Sequence, residues 1–128
     1  MAIRVVRLGS PREPDEGIRM GTVRRPPRGV RKEDYASKGF FDVWFPNLSP
    51  SIELIKDAKS AEDERSWSAF KKRFRAEMSR PNTSKELDLL AALSHQTNMS
   101  LGCYCENEER CHRSVLRELL VERGADLI

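Results

Sequence analysis

The sequence predicts a small single α/β domain over residues 1–128. Its core is a short, mostly parallel central sheet flanked by helices, and it ends in a strand–turn–helix unit. Three observations carry this. Short apolar or β-branched runs stand at Ile3–Leu8, Ile18–Arg24, Phe40–Phe45 and Met99–Cys103. Three stretches with apolar spacings of three and four separate the third run from the last, and a fourth stretch follows it. The length of 128 residues suits one ordinary domain.

Ile3–Leu8 is apolar on both sides of its alternation, as a buried strand is. Ser10–Gly17, rich in proline, glycine and acids, is a loop. Ile18–Arg24 makes a second strand with Met20, Thr22 and Arg24 on one face. Arg24–Lys32 (RRPPRGVRK) can be neither strand nor helix, because two adjacent prolines remove amide donors and Gly29 admits positive φ. It is a stiff basic loop. The aromatic and β-branched run Phe40–Phe45 fits a third strand or a buried extended segment. Ser49-Pro50 starts a short helix, with serine capping, proline at the first position, and Ile52, Ile55, Lys56 and Lys59 sharing a face. Ser60 with Asp63 resembles the capping pair of the next helix. Its inward stripe is Trp67, Phe70, Phe74 and Met78, and Pro81 ends it. Thr83 or Ser84 caps a third helix that buries Leu87, Leu90, Ala91 and Ser94. Met99–Cys103 is a central strand and Cys105–Arg110 an acidic turn. The last helix begins near Cys111, buries Val115, Leu116, Leu119 and Leu120, and stops at Gly124.

Composition narrows the function classes. Lys and Arg number 23 against 20 Asp and Glu, a net charge of +3. The excess is local: residues 1–38 hold ten basic and five acidic side chains, and eight of the ten are arginines. Arginine grips phosphate or carboxylate with a planar fork, so an anionic partner is expected. No apolar stretch approaches the roughly 20 residues that cross a bilayer, and the start MAIRVVRLGS has no apolar signal core. The expectation is a cytoplasmic protein with no membrane partner. The three cysteines fall within nine residues, which is no disulfide framework.

Cys103-Tyr-Cys105, five residues and then Cys111-His112-Arg113-Ser114 form the most informative constellation. A helix beginning at Cys111 offers free first-turn amides to an anion, with Arg113 and Ser114 adding contacts. Cys111 is the candidate nucleophile and His112 the candidate acid/base. The cysteine-phosphatase spacing fails, since Cys103 is followed six positions later by Glu109 and Cys105 by Cys111. Glu106, Glu108 and Glu109 also repel phosphate at that turn. Cys103, Cys105, Cys111 and His112 are all residue types that zinc accepts. Adjacent Cys111 and His112 would, however, have to bend toward one ion from a helix start, so no metal is assigned from sequence. Arg7 and Arg24 lie at strand ends, where ligands collect in parallel sheets, and Arg28 follows in the basic loop. Trp44 could wall such a pocket.

These residues resemble the YeaO-like branch of domain-of-unknown-function family 488. The resemblance is carried by Arg7, Glu16-Gly17, Arg19, Arg24, Pro27-Arg28-Gly29-Val30, Asp42-Val43-Trp44, Leu48-Ser49-Pro50-Ser51, Cys103 and Cys111-His112-Arg113. It spans about residues 6–123. Val23 stands where that pattern has aspartate, and Pro26 where it has tryptophan. The resemblance implies a compact α/β domain and no particular reaction.

The resulting expectation is a phosphate- or nucleotide-type anion pocket at the start of the last helix. Arg7, Arg24, Arg28, Trp44, Arg113 and Ser114 would bind the ligand beside a reactive Cys111 and His112. A nucleic-acid module using the basic first third is the alternative, and a zinc-stabilised interaction protein the second. No cofactor follows from the sequence.

Overall fold

A computed structural model of the chain describes residues 2–59 and 63–128. Strands β1 (Ile3–Arg7), β2 (Ile18–Gly21), β3 (Val43–Trp44) and β4 (Met99–Cys103) form one parallel sheet in the order β1-β4-β2-β3. Helices α1 (Ile52–Lys59), α2 (Glu64–Met78), α3 (Pro81–Leu93) and α4 (His112–Glu122) complete it. β4 is central and buried along its whole length, which suits its apolar composition. The register sets Arg7 opposite Cys103 and Gly21 opposite Gly102, so three strands finish level with one another. No helix among the described residues is long and apolar enough to cross a membrane.

The main core joins Ile3, Met99 and Leu101 of the sheet to Leu54, Phe70, Phe74, Leu87, Leu116 and Leu120 of the four helices. Phe74 is fully buried, and burial of such a side chain contributes about 1.5–3 kcal/mol. A second cluster, Leu8, Val23, Phe41, Cys103 and Cys111, packs with Tyr35, Phe40 and Tyr104 just past the strand ends. Gly102 lets Leu8 approach β4, since an added Cβ would stand 2.4 Å from Leu8 Cδ2.

Arg19 and Glu16 form a buried ion pair, at 0% and 2% side-chain exposure. Arg19 donates from Nε and Nη2 to Glu16 (2.9 and 2.8 Å), from Nη1 to the Ser10 and Gly39 carbonyls (2.9 and 2.7 Å), and from Nη2 to the Pro11 carbonyl (3.4 Å). All five guanidinium hydrogens therefore have an acceptor, as deep burial requires. The pair ties two loops to the side of β2. Gly17, beside it, has φ +78°, and a Cβ there would lie 2.1 Å from the Asn98 carbonyl oxygen.

Several details depart from the sequence reading: β2 stops at Gly21 rather than Arg24, and α1 opens at Ile52 behind Ser51, whose Oγ accepts from the Leu54 amide at 3.3 Å, rather than at Ser49-Pro50. The third strand contracts to Val43–Trp44, because Phe41 turns into the second core and its ring fills the space left open by Gly21. In α1 the buried residue is Leu54, while Ile52 is exposed. Pro81 does not merely end α2: it opens α3 behind Arg80, and Thr83 Oγ1 donates back to the Glu77, Met78 and Arg80 carbonyls. Asp63 caps α2 itself, accepting from the Ser66 amide at 2.7 Å, and the expected partner Ser60 lies outside the described residues.

Candidate functional site

A cavity of about 830 Å³ opens beyond the carboxyl ends of β2 and β4, within the range of small-molecule sites. Its wall is built from the 23–28 loop, the start of α1, Phe70 of α2, the end of β4 and the start of α4. Position follows from topology: parallel strands deliver their C-terminal ends, and the next helix its N-terminus, to the same edge.

Apolar side chains of Val23, Pro26, Pro27, Phe40, Ile52, Ile55 and Phe70 line most of it. The cations are Arg24, Arg25, Arg28, Lys56 and Arg110. Arg24 Nε and Nη2 are held by the Ser49 and Pro50 carbonyls at 3.0–3.2 Å, which fastens the loop to the start of α1. Arg110 pairs with Glu64 and lies 5.8 Å from the centroid of the Trp67 ring. Among the described residues, Arg25, Arg28 and Lys56 have no carboxylate partner. Tyr104 donates to the Arg25 carbonyl at 2.9 Å, holding the loop over the end of β4. Burial first, then the neighbouring Cys103 and Tyr35, pushes the Tyr104 phenol up to about 12.

Cys103, Cys105, Cys111 and His112 stand together on the cavity floor. All three cysteines are free thiols. Cys103 Sγ donates to Cys105 Sγ at 3.7 Å, and Cys111 Sγ lies 3.6 Å from His112 Nδ1. Convergence of adjacent Cys111 and His112 has a local cause. Cys111 caps α4 with extended backbone (φ −122°, ψ 152°), so its side chain leaves at a different angle from that of the first helical residue. Hydrogen bonds from Cys103 and then Cys105 hold the Cys111 thiol well below its ordinary value against the opposing effect of burial. Hydrogen bonds with Cys105 and Cys111, then burial, push Cys103 up.

The tautomer of His112 is fixed by Thr22. His112 Nε2 lies 2.7 Å from the Thr22 carbonyl, which can only accept. Thr22 Oγ1, 3.3 Å from the same nitrogen, spends its hydrogen on the Gly102 carbonyl at 2.9 Å. Nε2 therefore carries the proton, and Nδ1 presents its lone pair to the thiols. Phe74 packs edge-on against the ring at 5.7 Å.

The sequence-derived candidates divide. Arg24, Arg28, Cys111 and His112 line the cavity. Arg7, Trp44, Arg113 and Ser114 do not. Arg7 reaches the Tyr104 carbonyl and Glu106 (3.2 and 3.5 Å) on the outside of the turn. Trp44, 44% exposed on the edge strand, donates to the Val23 carbonyl at 2.8 Å. Arg113 is buried and spans the Val6 and Cys105 carbonyls at 2.7 and 2.6 Å, joining β1 to the turn. Ser114 Oγ turns back to the Cys111 carbonyl at 2.9 Å. The acids expected to repel phosphate are partly neutralised, Glu106 by Arg7 and Glu108 by Arg117 at 2.9 Å. Sequence reasoning misses Arg25, Lys56, Arg110 and Thr22. Lys56 is readable as the cation beside Ile55, one turn into α1, whereas Thr22 lies 90 residues from its partner and gives no linear signal.

No curated protein and no solved structure matches the chain. The family model of DUF488-N3a, described as the active DUF488-N3 subclade, matches residues 3–124, which is nearly the whole length, and the chain therefore belongs to the DUF488 family.

Proposed function

We propose that the cavity binds a phosphorylated small molecule of nucleotide type above the Cys111–His112 floor. The observation that carries this is the pairing of an apolar chamber with a rim of Arg25, Arg28 and Lys56, cations without carboxylate partners among the described residues. An apolar body such as a base or other flat ring would desolvate against Phe40, Phe70 and the Pro26-Pro27 pair. The phosphate would take the guanidinium forks and the lysine. Arg24 serves the pocket indirectly, because its bonds to Ser49 and Pro50 fix the loop that carries Arg25 and Arg28.

The test is a thermal-shift and calorimetry screen of nucleosides, nucleotides and inorganic phosphate. Nucleotides should raise Tm while the matching nucleosides should not, since a ligand that binds only the folded state stabilises it. Arg28→Ala and Lys56→Ala, both exposed and free of core contacts, should each weaken binding about tenfold or more, the value of one charge-assisted contact. Equal binding by nucleosides, or binding indifferent to both substitutions, would sink the reading.

A further inference from the structure

We infer that Cys103, Cys105, Cys111 and His112 Nδ1 bind one zinc ion at the floor of the cavity. One ligand atom from each of Cys103, Cys111 and His112 lies within 4.8 Å of the other two, and all three residues are buried. Cys105 Sγ stands outside that mutual set but only 3.7 Å from Cys103 Sγ, which makes it the fourth ligand within reach.

Two of the six spacings match edges of a tetrahedron around zinc. Zinc–sulfur bonds of about 2.3 Å and a zinc–nitrogen bond of about 2.0–2.1 Å give edges of about 3.8 Å between sulfurs and about 3.6 Å from sulfur to nitrogen. The observed edges are 3.7 Å for Cys103–Cys105 and 3.6 Å for Cys111–His112. A disulfide would need its sulfurs at about 2.05 Å.

Two further features suit a metal. Thr22 holds His112 in the tautomer that aims Nδ1 at the sulfurs, the outer hydrogen bond that metal-bound imidazoles almost always make. Charge also balances. Arg113 is 3% exposed, its two terminal nitrogens contact carbonyls only, and its Nε is buried without a hydrogen-bond partner. Three thiolates, a neutral imidazole and a dication sum to −1, which would offset that buried guanidinium. On binding, the three thiols release their protons to solvent and no redox partner is needed. Thiolate-rich donor sets favour zinc over magnesium or calcium.

The full-length protein, purified without metal-affinity tags under reducing conditions, is equilibrated with zinc, desalted and analysed by elemental mass spectrometry. Stoichiometric zinc is expected, lost in Cys111→Ser and in His112→Ala. Should those variants fail to fold, wild-type protein grown with cobalt in place of zinc gives a second readout. It should show intense tetrahedral d–d bands and sulfur-to-cobalt charge transfer, the latter falling by roughly a third in Cys105→Ser, where one of three thiolates is lost. Substoichiometric zinc in the wild type, zinc retained in His112→Ala, or weak octahedral cobalt bands would each overturn the assignment. Metal content is read with the cavity empty of nucleotide, so this assignment and the anion-pocket reading can fail separately.

Discussion

Replacing Glu16 by glutamine removes one charge and one acceptor while keeping the shape of the side chain. Arg19 would then sit at 0% exposure with only carbonyl partners and one amide oxygen. The two bonds now made to Glu16, at 2.8 and 2.9 Å, are charge-assisted and contribute about 1.5–3 kcal/mol each. Glutamine keeps one as a weaker contact and turns an NH₂ group toward the other donor. Breaking a buried pair on one side costs about 3–5 kcal/mol, and the retained contact places Glu16→Gln near the lower end, at about 3 kcal/mol. A domain of this size has about 6–19 kcal/mol in total, so the variant should fold but with much reduced margin. Urea denaturation followed by tryptophan fluorescence measures it. With a slope of about 1.5 kcal/mol/M the midpoint should fall by about 2 M. Arg19→Met should cost at least as much, because it strips donors from the Ser10 and Pro11 carbonyls as well as from Glu16. A loss under about 1 kcal/mol for Glu16→Gln, with unchanged slope, would refute the claim that this pair anchors the loops.

Two further predictions concern stability, and both can be checked by the same denaturation. Gly17→Ala combines a left-handed φ with overlap on the Asn98 carbonyl and should cost about 2–4 kcal/mol; a neutral result would mean that the segment shifts freely. Burial pushes the Asp42 carboxyl up, but hydrogen bonds from Arg12 and the Arg19 amide, with the charge of both guanidiniums, outweigh it and hold the group below its ordinary value. A lowered folded-state pKa means stability present above the unfolded carboxyl value and lost as pH falls through the folded one. Asp42→Asn should therefore cost about 1 kcal/mol at pH 7, discounted for partial exposure, and the gap to wild type should close as acid protonates Asp42. A gap that stays constant down to acid pH would disprove the linkage.

Elements with a strong period are legible in the amino-acid sequence alone. Phe70, Phe74 and Met78 fall on one face of α2, and Leu87, Leu90 and Ala91 on one face of α3, as their spacing requires. The start of α4 at Cys111 is equally legible from the acidic turn that precedes it. What escapes are facts of direction and long-range approach. Arg113 and His112 are neighbours, yet one turns beneath β1 and the other into the cavity, and no sequence rule separates them. In α1, eight residues are too few to fix the phase, so Leu54 is hidden behind the two isoleucines. Thr22 meets His112 only because β2 lies beside β4, a pairing of segments some eighty residues apart.

The strand order leaves two margins of the sheet, and each is closed differently. Beyond β3, which has only two residues, little ladder remains for another chain to extend. Beyond β1, residues 126–128 pair with its first residue: the Ile3 amide donates to the Asp126 carbonyl at 2.9 Å and the Ile128 amide to the Ile3 carbonyl at 3.0 Å. Residues 126–128 thus act as a selvedge at the start of β1, where a neighbouring molecule would otherwise begin to pair. Substitutions that pull residues 126–128 away from Ile3 should therefore favour self-association at this margin.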